Sequence, residues 1–147
     1  NEAADEVLST IKEAIAAFRN LGDMDGLADS LRLMMHGLRL KAQQEHDRGN
    51  GGEEETILQD AEALMREELG LFRSCGEKRG EAAMYLSIGE ALRSLGGSPK
   101  CDKALDYLLE AQEIAWELDD PKLEASIAYE RFTVLHKRHR FKEACQA

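Results

Sequence analysis

With 147 residues, 43% of them hydrophobic and 33% charged, the chain has material for one folded domain and is too apolar for a disordered tail. A formal charge of -10 argues against a general nucleic-acid or anionic-membrane binder. No run of about 18 apolar residues is present to cross a bilayer.

The three cysteines, Cys75, Cys101 and Cys145, are odd in number and share no CxxC spacing. They read as reduced thiols rather than a disulfide framework or a metal site. No basic-then-apolar leader opens the chain, and Asn1 in first position reads as a processed or excised end. A cytoplasmic location is the expectation.

Apolar residues from Val7 onward fall at Leu8, Ile11, Ile15, Phe18 and Leu21, the stripe of an amphipathic helix that Gly22 stops. A second helix is expected over residues 24–44, with Leu27, Leu31, Met34, Met35 and Leu38 inward. Residues 46–52, His-Asp-Arg-Gly-Asn-Gly-Gly, read as a flexible loop, an insertion spanning roughly 46–53. Glu53, Glu54 and Glu55 then open a third helix, placing acid at the positive end of its dipole, and Gly76 ends it. A fourth helix over 78–95 closes at Gly96-Gly97-Ser98-Pro99. A fifth starts near 100–102 and carries Leu105, Leu108, Leu109, Ile114 and Leu118. Asp119-Asp120-Pro121 turns the chain into a sixth helix over 122–137, and Phe141 onward reads as the first turn of a truncated seventh.

The turns repeat. Phe18-Arg19-Asn20-Leu21-Gly22-Asp23 returns as Phe72-Arg73-Ser74-Cys75-Gly76-Glu77, and more distantly as Ala115-Trp116-Glu117-Leu118-Asp119-Asp120. Gly22 and Gly76 are 54 positions apart, Gly76 and Asp119 43, and the excess of 11 falls where the Gly-rich segment lies. A helix pair recurring at such a period points to units that bury their apolar faces by stacking on one another. An array stopping inside a helix would leave an unfinished apolar face, so further repeats are expected beyond it. A compact helical bundle is the rival architecture.

The stretch from residue 85 to 144 carries a family likeness. Ile88-Gly89 with Leu92, Lys103-Ala104-Leu105 with Leu108 and Ala111, Leu118-Asp119-Asp120-Pro121 with Glu124-Ala125, and Arg140-Phe141-Lys142-Glu143-Ala144 together resemble the tetratricopeptide repeat, in its variety with units of roughly 40 residues. The resemblance implies an all-α, right-handed solenoid of antiparallel hairpins, about three repeats plus a truncated last helix, in a single domain over 1–147. Two positions depart from it. Met35 and Phe132 stand where small residues are expected, and would push the paired helices apart.

In this family the first helix of each hairpin lines a concave groove. Carried over, that places Asp29, Arg32, His36 and Arg39, then Leu86, Glu90 and Arg93, then Tyr129, Thr133, His136 and Lys137 on the groove. Basic groups are thereby concentrated on one face of an acidic protein, which suits an acidic segment or a terminal carboxylate. The Lys-Asn clamp that some relatives close on C-terminal carboxylates is not matched, since Arg32 and His36 hold those positions.

Nothing in the sequence concentrates catalytic chemistry. His136 and His139 are spaced for one helix face but lie among Lys137, Arg138, Arg140 and Lys142, which would repel a cation. No phosphate-binding loop, dinucleotide fingerprint, zinc-protease or nucleophile-elbow motif occurs. Trp116 is expected to pack between units. The expectation is a non-enzymatic scaffold that binds another protein or peptide, with no cofactor, metal, nucleic acid or membrane. The alternatives are a structural subunit docking by its edges, self-association through the last hairpin, or a regulatory region of a multidomain signalling protein.

Overall fold

The computed structural model describes residues 2–95 and 97–146, all in six helices and the short turns between them. They are α1 (Glu2–Leu21), α2 (Met24–Asp47), α3 (Gly51–Ser74), α4 (Lys78–Leu95), α5 (Ser98–Leu118) and α6 (Pro121–Gln146). The chain is all-α over these residues.

One turn geometry joins most of the helices. At the end of α1 the Asp23 N–H donates to the Phe18 carbonyl (3.0 Å) and the Gly22 N–H to that of Arg19 (3.2 Å). The same two bonds recur at Glu77 and Gly76 (2.9 and 3.1 Å), at Asn50 and Gly49 (2.8 and 2.9 Å), and at Asp120 and Asp119 (3.4 and 3.2 Å). Closing a helix this way needs a left-handed residue, and three of the four are glycine, with φ from 69° to 77°. Asp119 takes that position at φ 51°, which explains why the third copy of the motif is hard to see in the sequence. Asp23 and Asp120 then cap the next helix, their carboxylates accepting from the N–H of Gly26 (3.0 Å) and of Leu123 (3.1 Å).

The expected boundaries shift in four places. The Gly-rich segment is not a loop: α2 runs on to Asp47 and α3 starts at Gly51, leaving a turn of three residues. Most of the excess between the first two turn copies goes into helix, since α2 has 24 residues where α4 has 18, and α3 has 24 where α5 has 21. α1 starts at Glu2, ahead of its apolar stripe, and α5 at Ser98, with Pro99 in the first turn, where its missing N–H costs nothing. Gly96, expected in the stop of the fourth helix, lies outside the described residues. There is also no seventh helix among the described residues. Residues 138–146 continue α6 as one rod, because Arg, Lys, Glu and Ala favour helix and nothing between Lys137 and Phe141 breaks it.

α2 packs against α1, α3 and α4; α4 packs against α2, α3, α5 and α6; α5 and α6 pack together. Among the described residues α1 and α3 share no backbone contact, nor do α3 and α5. Side chains span those gaps: Arg19 pairs with Glu68, while Lys103 (2.5 Å) and the Tyr107 hydroxyl (3.0 Å) both reach Glu62. One apolar core runs through all six helices. It includes Leu8, Leu27, Leu31, Met34, Met65, Phe72, Met84, Ile88, Leu108, Ile127 and Val134. Burying each of the larger of these is worth about 1.5–3 kcal/mol relative to exposure.

Glycines set the closest approaches. A methyl group at Gly89 would lie 2.9 Å from Leu108 Cγ, so α5 seats directly on α4, which is the most extensive helix pairing. Gly37 meets Leu8 in the same way (2.8 Å). Met35 is buried between α2 and α4, and Gly37 beside it supplies the close packing onto α1. Phe132 does not separate the described helices: its ring faces outward, 66% exposed, stacked on His136 at 6.1 Å between centroids. Trp116 is likewise exposed (60%), so the expected packing between units is not made.

Candidate functional site

Asp29, Arg32, Leu33, His36 and Arg39 follow helical spacing, so α2 presents them as one row. They meet Ser87, Glu90 and Ala91 of α4 around a cleft of about 490 Å³. Arg39 and Glu90 also border a second cleft of about 600 Å³ with Arg93 of α4 and Lys122, Ser126, Tyr129 and Glu130 of α6. The shared pair makes the two clefts one trough across α2, α4 and α6.

The trough is laced with loose and tight ion pairs. At the α2 end Arg32 is 3.9 Å from Asp29, both well exposed, and the Arg39 guanidinium donates to His36 Nδ1 at 3.4 Å. Arg39 also stands 4.0 Å from Glu90. Burial, and next the Glu130 carboxylate, push the Glu90 carboxyl above its ordinary value, while Arg39, Arg32 and Arg93 oppose the rise. At the α6 end Arg93 pairs with Glu130, which is buried, and its guanidinium is committed there.

The structure thus brings together Asp29, Arg32, His36, Arg39, Glu90, Arg93 and Tyr129 of the sequence-derived groove. It does not bring in the rest. Leu86 is half-buried against the core. The Thr133 hydroxyl donates to its own helix at the Tyr129 carbonyl (2.9 Å), and His136 is stacked on Phe132. The Lys137 ammonium donates to the Arg93 carbonyl and lines a separate cleft with Gln43, His46, Glu54 and Phe141. Burial pulls the Lys137 ammonium below its ordinary value.

Sequence reasoning missed Glu130, Lys122 and Ser87. A signal for Glu130 was present: it falls between Ile127 and Val134 on the buried stripe of α6, and a carboxylate among core positions implies a partner. Glu68, beside Met65 and Leu69, carries the same signal and is also buried. With both clefts counted, Arg32, Arg39, Arg93 and Lys122 face Asp29, Glu90 and Glu130. The surplus of positive charge is therefore smaller than the sequence implied, and its loosely paired part lies at Arg32 and Arg39, with Lys122 on the second cleft.

Among the described residues no three His, Cys, Asp or Glu side chains gather as a metal site. Cys101 is buried, and Cys75 and Cys145 are exposed free thiols. No helix of the described residues is long and apolar enough to cross a membrane. No family model, no curated protein and no solved structure matches the chain.

Proposed function

We propose that the chain is a non-enzymatic protein-binding module, a short solenoid of tetratricopeptide-like hairpins that holds an acidic peptide segment in the trough. The observation that carries this reading is the row Arg32, His36 and Arg39, open to a cleft of about 490 Å³ in a chain of net charge -10. In so acidic a protein a basic row held only by loose ion pairs is a local exception, and a carboxylate-bearing ligand gains most where the surrounding surface repels it least. Arg32 and Arg39 offer planar forks for bidentate pairing with carboxylates, and Leu33 and Met35 supply apolar contact beside them.

The repeat reading has its own support. α2, α4 and α6 contact in succession, while α1, α3 and α5 form a second row joined by side chains only. The turns before α2, α3, α4 and α6 share one hydrogen-bond pattern, and in those before α2 and α4 a phenylalanine meets a glycine eight positions later.

A labelled library of peptides rich in Asp and Glu, titrated by fluorescence anisotropy, tests the function. The reading expects saturable binding that weakens at least about tenfold in Arg32→Glu, Arg39→Glu, while Lys12→Glu on α1 leaves it unchanged. Equal binding by all three proteins would place the contact elsewhere.

A further inference from the structure

We propose that copies of this chain assemble head to tail, with the outer face of α6 of one copy seated on the outer face of α1 of the next. This goes beyond the trough and does not depend on what the trough holds.

α6 is apolar on two sides. Leu123, Ile127 and Val134 face α4 and α5, whereas Ala128, Phe132 and Leu135 form a second, exposed stripe against which no other described helix packs, and Ala125 extends it to the edge of the trough. Phe132 is 66% exposed and Leu135 45%. α1 carries the counterpart. Leu8, Ile11, Ile15 and Phe18 turn toward α2, while Ala3, Val7, Thr10, Ala14, Ala17 and Leu21 run as a second stripe, spaced 3 or 4 apart for its full length and mostly exposed. This second stripe is made mostly of small residues and that of α6 holds large ones, so the ridge of one fits the shallow face of the other.

Charge sets the direction. Successive helices within the chain pack antiparallel, and an α6–α1 contact of the same kind brings the end of α6 beside the start of α1. The end of α6 carries Arg140 and Lys142, with His139 and Glu143 facing each other at 3.1 Å, and the start of α1 carries Glu2 and Glu6. Among the described residues Arg140, Lys142, Glu2 and Glu6 have no ion-pair partner within the chain. A symmetric contact of α6 with α6 would oppose the two basic ends or leave them unpaired. The two faces are different surfaces, so the contact is heterologous, and unless its rotation closes a ring it propagates.

Sedimentation velocity from low micromolar to near-millimolar concentration reads the assembly directly. Wild type is expected to grow with concentration. Phe132→Glu, Leu135→Glu blocks one face and Val7→Arg, Ala17→Arg the other, all at exposed positions, with helicity checked by circular dichroism. Each variant alone is expected to be monomeric. Mixed, they retain one intact α6 face and one intact α1 face between them, and should form a dimer that grows no further. Two outcomes overturn the proposal: a wild type monomeric throughout, or an α6-face variant that abolishes association while the α1-face variant still dimerises, which marks a symmetric α6 contact.

Discussion

The ring of Phe72 lies against the α-carbon of Gly80, so close that a methyl group there would sit 2.5 Å from Cδ1. Phe18 and Gly26 repeat the contact at 2.4 Å across the first turn. Gly80→Ala gains about 1 kcal/mol of helix propensity but overpacks a ring that is fully buried, which typically costs 1–3 kcal/mol. We expect urea melts to show a net loss of up to about 2 kcal/mol at unchanged m-value. Gly26→Ala should cost less, because Phe18 is only half-buried and its ring can swing outward.

In the third copy the partners are exchanged. Ala115 stands in place of the phenylalanine and Leu123 in place of the glycine, one fully buried and the other packed on the core. At equivalent sequence positions, large and small have traded places. Phe72→Ala alone should cost about 3–5 kcal/mol. Combining it with Gly80→Leu should recover about 2 kcal/mol relative to the sum of the single changes. Additive losses in a double-mutant cycle would contradict the equivalence of the three turns.

Glu68 is 1% exposed and paired with Arg19, which is itself half in solvent. Removing the arginine strands a buried carboxylate, whereas replacing both partners by apolar groups does not. Arg19→Ala should therefore destabilise by about 2–3 kcal/mol, and Arg19→Ala with Glu68→Met should return to within about 1 kcal/mol of wild type. Thermal melts of the two variants are the check.

The helices and their order were legible in the sequence, because the stripe from Leu8 to Phe18 and its counterparts repeat at helical spacing. The stops were less so. Gly49 ends α2 with the same bonds as Gly22 and Gly76, but the polar run around it looks like a loop until its hydrogen bonds are seen. The extension of α6 past Lys137 was hidden by a family likeness at Arg140-Phe141, which outweighed the absence of any helix breaker. For the trough, the positions carried over from the family likeness include Arg32, His36 and Arg39, which line one cleft. The likeness could not tell that Arg93 is committed to Glu130, 37 residues away, since no local pattern reports a pair that tertiary packing creates.

Glu90 gives the trough a pH dependence. Burial, then Glu130, hold its carboxyl above the ordinary value of 4.5. A carboxyl raised by folding costs stability where it must be ionised in both states, and that cost fades as pH falls through its folded value toward 4.5. Glu90→Gln should thus melt higher than wild type near neutral pH, with the difference shrinking as the pH is lowered. A variant less stable than wild type at neutral pH would show that the Arg39 contact outweighs burial.

The most direct test of the trough is an amide-proton NMR titration of the chain with a tight acidic peptide from the library. The account predicts shifts centred on Arg32, His36, Arg39 and Glu90 that vanish in Arg32→Glu, Arg39→Glu, with α1 and the back of α5 silent. Shifts centred on α1, α5 or the outer face of α6, with those four residues unmoved, would contradict it.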